Sequence, residues 1–572
     1  MVNLIIDGKN VTVENGITIL EAARSAGINI PTLCYLKDIN EIGACRVCVV
    51  EIEGNANLCA ACNTQAEDGM VIYTNSPRVR TARRINLELI LSAHNTNCTS
   101  CVRNGNCTLQ TLCRDLNITD IPFEVTYKKK KWDTSIPLIR DREKCVKCMR
   151  CISVCEKVQG LGVWDIVGTG HRTTVGIRGT TDFNATKCAL CGQCITHCPV
   201  GALHERDDTR NLLDALGDPD KIVVAQVAPA VRTAWGEDLG LTREQATVGK
   251  MVSALRTIGF DYVFDTDFAA DMTIMEEGSE LLERLSHKED YSWPMFTSCC
   301  PGWIRFLKHE YPEFTKNLSS AKSPQQMFGS IAKTYFAKKL GVDAEKIVCV
   351  SIMPCIAKKY EADVPQVSSV SEKDVDIVLT TREICRMLRS GGLDFAKIQE
   401  SEFDAPLGLG TGAGVIFGTS GGVMEAALRS AHYLITGENP DADKFSAVRG
   451  MDGWKERTVQ VGDATLNVAV TNGLANARRL IEAIKAGKVS YDFVEIMACP
   501  GGCVGGGGQP IRDGQELAAE RSKTLRNLDN ASVIRFSHEN PFIKTVYEEY
   551  LEKPNSHIAH ELLHTSHQEW DI

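Results

Sequence analysis

The sequence predicts a multidomain α+β and α/β protein, with small cysteine-built modules first and one larger α/β domain after them. Three observations carry this prediction. The chain has 572 residues, which at about 150 residues per domain allows three to five domains. Its 24 cysteines fall in blocks, not singly. From Lys221 onward, apolar strand-like runs alternate with helical stretches, the signature of an α/β sheet.

Composition narrows the class further. With 43% hydrophobic and 24% charged residues, the chain is ordinary globular material that can bury several cores. A net charge of -10 and a pI near 5.8 argue against nucleic-acid binding, which needs a basic surface. A chain this long does not need disulfide staples, so the cysteines point to metal binding in a reducing, cytoplasmic setting. The first ten residues carry Asp7 and Lys9 and no apolar signal core, so secretion is not expected. The charge-free stretch from Ala405 to Met424 is long enough to span a bilayer. It has seven glycines and no lipid-facing pattern, so no membrane span is expected either.

The first module, residues 1–79, begins with two β-rich runs around Asp7-Gly8, which predict a hairpin over Asn3–Val13. A short helix follows, with Thr18 and Glu21 as a capping box and Gly27 as its stop. Next come Cys34, Cys45, Cys48 and Cys62 at C-x10-C-x2-C-x13-C, with Cys59 as a spare. Hairpin, helix and cysteine loop together resemble a plant-type 2Fe-2S ferredoxin, although the spacing is wider than the plant pattern. A zinc site is the alternative, but zinc usually takes two short C-x2-C knuckles.

The second module, residues 80–125, holds His94, Cys98, Cys101 and Cys107 at H-x3-C-x2-C-x5-C. Ile85, Leu87, Leu89, Ile90 and Leu91 predict a helix that delivers His94 at its end. An imidazole in place of one thiolate would leave a 4Fe-4S cluster less negative and shift its potential. Cys113 lies outside the spacing and reads as structural.

The third module, residues 126–208, gives the strongest signal of the first part. Cys145, Cys148, Cys151 and Cys155 form C-x2-C-x2-C-x3-C; Cys188, Cys191, Cys194 and Cys198 repeat it, closing with Pro199. That repeat is the bacterial two-cluster 4Fe-4S ferredoxin signature, in which the fourth cysteine of each run serves the other cluster. Cys198 is therefore expected with Cys145, Cys148 and Cys151, and Cys155 with Cys188, Cys191 and Cys194. The run Lys128–Lys131 reads as a solvated linker or as a dock for an acidic electron carrier. Several clusters in one chain have one evident use, moving electrons singly between the surface and a second site.

In residues 209–572, Ile222–Val227, Ile347–Ile352, Ile377–Thr380, Leu466–Val470 and Phe493–Met497 read as buried strands. Open α/β sheets bind ligands beyond the carboxyl ends of their strands. Cys300, Cys355, Cys499 and Cys503 follow such ends and are placed to converge on one buried site. Cys349 and Cys385 lie inside a strand and a helix and read as packing residues. Adjacent side chains diverge, so Cys299 and Cys300 should not bind the same metal; one ligates and the other faces elsewhere, free for acid–base work. Gly408–Gly414 and Gly501–Gly508 flank the site as flexible turns or as backbone that a bulky cofactor approaches. Neither matches a nucleotide-binding fingerprint, so any NAD or flavin chemistry belongs to a partner.

Thr297-Ser-Cys-Cys-Pro-Gly-Trp303, Ile352-Met-Pro-Cys-Ile-Ala-Lys358 and Met497-Ala-Cys-Pro-Gly-Gly-Cys503 resemble the three signature segments of FeFe-hydrogenases, in the right order. With the four accessory cluster sites the resemblance covers essentially the whole chain, in the layout of the large clostridial-type enzymes. The first block and residues 101–107 are also similar to catalytic subunits of NAD(P)-linked, electron-bifurcating hydrogenases. The resemblance implies a two-lobed α/β catalytic domain that catalyses 2H+ + 2e- = H2 at an H-cluster. That group is a 4Fe-4S cubane bridged to a diiron unit with CO, cyanide and azadithiolate. By motif position Cys300, Cys355, Cys499 and Cys503 would hold the cubane, with Cys503 bridging to the diiron unit. Cys299 would pass protons onward to Glu277, Ser319 and Glu280, with Arg284 at the end. Lys358 would bind a cyanide. Met353, Met497, Phe417, Gln325, Ala228 and Pro229 would line the diiron pocket, and Ala230 stands where some relatives have a serine.

The implied cofactors are one 2Fe-2S cluster, three accessory 4Fe-4S clusters and the H-cluster. The implied partners are ferredoxin or NAD(P)-linked flavoprotein subunits, together with maturation proteins. Three other readings differ at particular residues. An electron-transfer subunit like that of respiratory complex I matches residues 1–205 but supplies neither Cys299-Cys300 nor the Met497–Cys503 segment. A hydrogenase-like iron–sulfur assembly factor lacks the complete ferredoxin array and the Lys358 environment. Sensory relatives commonly lose the Cys299 thiol.

Overall fold

The computed structural model describes residues 1–125, 127 and 131–570. Of the Lys128–Lys131 run, Lys128–Lys130 therefore lie outside the described residues, and Lys131 is exposed. The chain forms two compact units: Met1–Val158 with Gly162–Thr186 and Gln193–His204, and Gln159–Leu161 with Lys187–Gly192 and Glu205–Ile572.

The first unit opens with the expected hairpin, strands β1 (Val2–Ile6) and β2 (Lys9–Val13), paired antiparallel around Asp7 and Gly8, both at positive φ. Alternate residues Val2, Leu4, Ile6, Val11 and Val13 turn inward, the period of a half-buried sheet. Helix α1 (Ile19–Ser25) follows, and Thr18 accepts from the Glu21 N–H. The reciprocal half of the capping box is not made, because the Glu21 carboxylate accepts from Arg24 and from the Tyr35 hydroxyl instead. Strands β3 (Val49–Ile52), β4 (Cys59–Ala60) and β5 (Val71–Tyr73) complete a five-stranded sheet in the order β2-β1-β5-β3-β4. Helix α2 (Pro77–Ser92) starts at a Ser76 cap with proline in its first turn and ends just before His94.

The second unit is built on two four-stranded sheets. The first comprises β6 (Ile222–Val227), β7 (Tyr262–Asp265), β8 (Ile347–Met353) and β9 (Ile377–Thr380), all parallel, in the order β7-β6-β8-β9. The other pairs Met295–Phe296 and Ala464–Asn472 in parallel on either side of Phe493–Met497, with Trp454–Val461 added antiparallel at the edge. Strands of the first sheet, such as Val223–Val227 and Ile347–Ile352, are near-continuous apolar runs because helices cover both faces. Packing against them, helix α3 (Thr266–Ser286) is unusual in burying Asp267, Asp271, Glu276, Glu277, Glu280 and Arg284. Asp265 caps its N-terminus by accepting from the Asp267 N–H at 2.9 Å.

Candidate iron–sulfur centres and active site

In the first unit, the thiols of Cys34, Cys45, Cys48 and Cys62 lie on loops between α1 and β5 and hydrogen-bond one another. Cys34 meets both Cys45 and Cys62, and Cys62 meets Cys48. The hydrogen bond from Cys62 pulls the Cys48 thiol down to about 7, while the thiols of Cys45 and Cys62 are pushed up. Four buried thiols that compete for so few protons suit a group that takes thiolates. Cys59 is the half-buried spare on β4.

His94 has one ring nitrogen committed, since its Nδ1 lies 3.0 Å from the carbonyl of Lys144. Nδ1–H donation there fixes the tautomer and leaves the Nε2 lone pair for a metal. Burial lowers its pKa and keeps the ring neutral. His94, Cys98, Cys101, Cys107 and Cys113 line one cavity of about 620 Å3. Cys113 thus sits at this site's wall, with its thiol pushed up to about 11 by burial. Gly201 closes the other side, where a Cβ would fall 2.6 Å from Cys101 Sγ.

Cys145, Cys148, Cys151 and Cys198 come together within the first unit: the Cys148 and Cys151 thiols are raised first by burial, then by the neighbouring cysteines, Cys198 among them. Cys155 accepts from the Val163 N–H at 3.3 Å. Cys194 belongs to the first unit, while Cys188 and Cys191 lie in the short segment Lys187–Gly192 that belongs to the second. There Arg305 Nε donates to the Cys188 carbonyl at 3.0 Å, and the Cys499 thiol faces the Cys191 carbonyl at 3.8 Å.

The active-site candidates are carried by the carboxyl ends of strands from both sheets of the second unit. β6 leads into Ala228-Pro229-Ala230, β8 into Met353 and Cys355, Met295–Phe296 into Cys299 and Cys300, and Phe493–Met497 into Cys499 and Cys503. Cys300 caps helix α4 (Pro301–Glu310), whose first-turn N–H groups and dipole favour an anionic ligand. Its Sγ accepts from the Ala498 N–H at 3.5 Å. Burial pushes the Cys355 thiol up to about 12 and raises those of Cys300, Cys499 and Cys503 as well. Cys300, Cys355 and Cys503 also repel one another's charge. Among the described residues no three His, Cys, Asp or Glu converge on one metal ion. The glycine run Gly501–Gly508 is a cradle: a Cβ at Gly508 would lie 2.9 Å from the Cys355 N and one at Gly507 2.3 Å from the Cys191 carbonyl. The other run takes no part in it, because Gly410 and Gly414 pack against Asp267 and Gly412 against Asp529.

Cys299 precedes Cys300, and its thiol has Glu277, Cys300, Cys503 and Lys358 as its charged neighbours. Its buried thiol is raised well above its ordinary value by burial first and by Glu277 next. Glu277 is fully buried and pushed up to about 8 by burial and by the charge of Glu280. Neither of its oxygens has a partner at normal hydrogen-bond geometry, and the Ser319 hydroxyl and Ser298 N–H are the donors nearby. Ser319 Oγ donates to Glu280 Oε2 at 2.7 Å, and Arg284 Nε donates to Glu280 Oε1 at 3.0 Å. Sulfur, carboxyl, hydroxyl, carboxyl and guanidinium thus succeed one another from the buried site along α3.

Lys358, in the short helix Ala357–Ala362 after β8, donates to the Cys299 carbonyl and to Glu361. Burial opposes its charge, but Glu361 more than offsets this and the net shift is upward. Ser323 and Gln325 also donate to Glu361, at 2.9 and 3.0 Å, and leave Gln325 Oε1 buried without a partner. Met353, Met497, Phe417, Ala228, Pro229 and Ala230 are all buried. Gln509 Nε2 donates to the Ala230 carbonyl at 2.9 Å. Sequence reasoning missed Glu361, Gln509 and the buried Asp267, Asp271 and Glu276, which carry no motif.

Family profiles match the chain in the same order. They are a 2Fe-2S iron-sulfur cluster binding domain over residues 1–77, the NADH-ubiquinone oxidoreductase-G iron-sulfur binding region over 83–122 and a 4Fe-4S dicluster domain over 144–202. The iron only hydrogenase large subunit, C-terminal domain, matches 221–507, and the iron hydrogenase small subunit matches 515–570. The NADP-reducing hydrogenase subunit HndD of Solidesulfovibrio fructosivorans is 49% identical over 99% of this chain and 98% of its own. Iron hydrogenase 1 of Clostridium pasteurianum is 40% identical over 99% of both chains. The solved structure of apo [FeFe]-hydrogenase HydA1 from Chlamydomonas reinhardtii is 45% identical with a TM-score of 0.57, over 63% of this chain and 98% of its own.

Proposed function

The chain belongs to the iron-only hydrogenase family, and on that footing we propose how its residues divide the reaction and which partner exchanges electrons with it. It catalyses 2H+ + 2e- = H2 reversibly at an H-cluster, and its iron–sulfur domains relay electrons to or from a redox partner. The observation that carries the site assignment is the convergence of thiols from both sheets beside Cys299, whose thiol neighbours the buried Glu277 carboxyl.

In this reading Cys300, Cys355, Cys499 and Cys503 would hold the H-cluster. The glycines around Cys503 let its loop close on the Cys355 loop. When bound, the H-cluster would supply the chemistry that makes or splits hydrogen. Cys299 would hold a proton at its thiol and exchange it with the Glu277 carboxyl. From there protons pass by Ser319 to Glu280 and to Arg284, the last residue of the path. A raised pKa keeps Glu277 protonated at neutral pH and able to donate. Lys358 supplies a fixed positive charge to a cyanide ligand, its ammonium being oriented by Glu361 and the Cys299 carbonyl. Met353, Met497, Phe417, Gln325, Ala228, Pro229 and Ala230 line a dry pocket that excludes water from the diiron unit. With alanine at 230, the serine donor of some relatives is missing, and the unpartnered Gln325 Oε1 is an acceptor, so it does not replace that donor.

The accessory set is one 2Fe-2S cluster on Cys34, Cys45, Cys48 and Cys62, and one 4Fe-4S cluster on His94, Cys98, Cys101 and Cys107. Two more take Cys145, Cys148, Cys151 and Cys198, and Cys155, Cys188, Cys191 and Cys194. NAD(P)-linked flavoprotein subunits are the preferred partner, supported by the full-length similarity to an NADP-reducing hydrogenase subunit; ferredoxin is the alternative. Among the described residues no helix is long and apolar enough to cross a membrane, and we place the chain in the cytoplasm, where a reducing setting keeps its many cysteines available as cluster ligands. Maturation proteins would deliver the diiron unit.

Isotope exchange between H2 and D2O tests the site without any electron carrier. Loaded wild-type protein should form HD, and Cys299→Ala should not; exchange that survives the substitution would remove Cys299 from the proton path. Anaerobic affinity purification from the host tests the partner. Co-purifying flavoprotein subunits and NAD(P)H-linked hydrogen turnover are expected, whereas a chain that purifies alone and turns over only with ferredoxin would overturn that assignment.

A further inference from the structure

We propose that the C-terminal segment positions the proton relay, with His564 as the positioning residue; the inference rests on the Glu277–Ser319–Glu280 path proposed above. The relay needs two elements in register, helix α3 with Glu277 and Glu280, and the loop that carries Ser319. Both are gripped from residues 547–567. Lys322 N–H donates to the Leu563 carbonyl at 2.8 Å, and Thr565 N–H to the Ser320 carbonyl at 2.8 Å. Ala321 and His564 form an antiparallel bridge, and the buried ring of His567 lies against the backbone of Ser319 and Ala321.

One side chain joins the two elements directly. His564 Nδ1 is 2.8 Å from Ser320 Oγ, and its Nε2 is 3.0 Å from Glu276 Oε2. With Nε2–H donating to the carboxylate, Nδ1 accepts from the Ser320 hydroxyl. Glu276 precedes Glu277 on α3 and is anchored further by the Tyr547 hydroxyl and by the Asn555 N–H at 2.8 Å. Ser320 in turn donates its N–H to both Glu280 oxygens, at 3.0 and 3.2 Å, beside the Ser319 hydroxyl that donates at 2.7 Å. The imidazole therefore ties the residue before one relay carboxyl to the residue after the relay hydroxyl. Proton hand-off needs heavy atoms within about 3.2 Å, and a displacement of about 1 Å can cost about 100-fold in rate. A clamp at this position sets that distance without touching the proton.

The test uses the anaerobic holoenzyme, three substitutions at His564 and Glu277→Gln as the control. His564→Ala should lower kcat about 10-fold, with KM for the electron donor and the cluster spectra unchanged and a larger solvent deuterium isotope effect. In the cofactor-free protein the same variant should speed amide exchange at Ser320. His564→Asn keeps a polar atom only on the Ser320 side and His564→Gln only on the Glu276 side, so each should recover part of the rate and neither all of it. Unchanged kcat in His564→Ala while Glu277→Gln is inactive would overturn the positioning role and leave the relay. Full activity in both would overturn the relay as well. Equal losses in all three His564 variants with an unaltered isotope effect would mark His564 as merely structural.

Discussion

Lys358 Nζ lies 3.1 Å from the carbonyl oxygen of Cys299 and 2.9 and 3.0 Å from the two carboxyl oxygens of Glu361. Lys358 follows a strand of one sheet and Cys299 a strand of the other, so a single ammonium ties both halves of the site together. The ion pair is buried, with the Lys358 side chain 12% and the Glu361 side chain 1% exposed. Removing one partner of such a pair leaves an uncompensated charge, whereas two partners with good hydrogen bonds persist.

Lys358→Met should therefore destabilise as well as inactivate. The expected loss is about 3 kcal/mol in the denaturant unfolding of the cofactor-free chain, accompanied by loss of hydrogen turnover in the loaded one. An unchanged unfolding midpoint would mean that Ser323 and Gln325 already satisfy Glu361.

Cys299→Ala removes a thiol that ligates no cluster in the proposed site. Iron content and the electron paramagnetic resonance of the clusters should match wild type while turnover falls at least about 100-fold, the scale of a lost general acid. Iron loss in this variant would instead make Cys299 a ligand.

The raised pKa of Glu277 makes two pH predictions with definite signs. In the proposed path the carboxyl is the proton donor, so hydrogen evolution should hold up to about pH 8 and fall above it, as the side chain ionises. Its folded-state pKa of about 8 exceeds the ordinary 4.5, so the folded chain keeps a proton that the unfolded chain releases. This stabilising contribution is complete below about 4.5 and is lost as pH rises through about 8. Glu277→Gln, which cannot ionise, should thus gain stability relative to wild type between pH 5 and 8.5, roughly the same window, in paired thermal melts. Parallel pH curves for the two proteins would contradict the assignment.

His94 should set the potential of its cluster. A neutral imidazole leaves the centre less negative than four thiolates would, so His94→Cys should retain the cluster at a lower potential in a spectroscopic redox titration. His94→Ala should lose that cluster's signal alone. A potential unchanged by His94→Cys would argue against His94 as a ligand.

Much of the architecture was readable because covalent spacing and strand-end geometry are local. The hairpin over Asn3–Val13, the helix that ends before His94 and the strands Ile222–Val227, Ile377–Thr380 and Phe493–Met497 appear where the apolar pattern puts them. The cysteines of the last domain follow strand ends for the same reason. Thr18 and Glu21 show the limit of a local rule, since Tyr35 and Arg24 take the carboxylate that the capping box would use. Glycine-rich segments were equivocal in sequence: Gly501–Gly508 packs around the cysteine loops, whereas Gly410 and Gly414 accommodate Asp267. Glu276 and its clamp left no trace, because Asn555 meets it across 279 positions of sequence and His564 across 288. Glu361 is only three residues from Lys358, yet a helical i,i+3 pair normally reads as a solvated surface contact, and nothing local reveals its burial.

Hydrogen evolution from reduced viologen is the most direct measurement, made on anaerobic, iron-loaded protein before and after addition of a synthetic diiron cofactor. The expected result is silence before addition and turnover after it, because the cysteine site holds the cubane and accepts the diiron unit. Continued silence after addition, with the accessory cluster signals intact, would contradict a catalytic H-cluster site and leave a chain that only carries electrons.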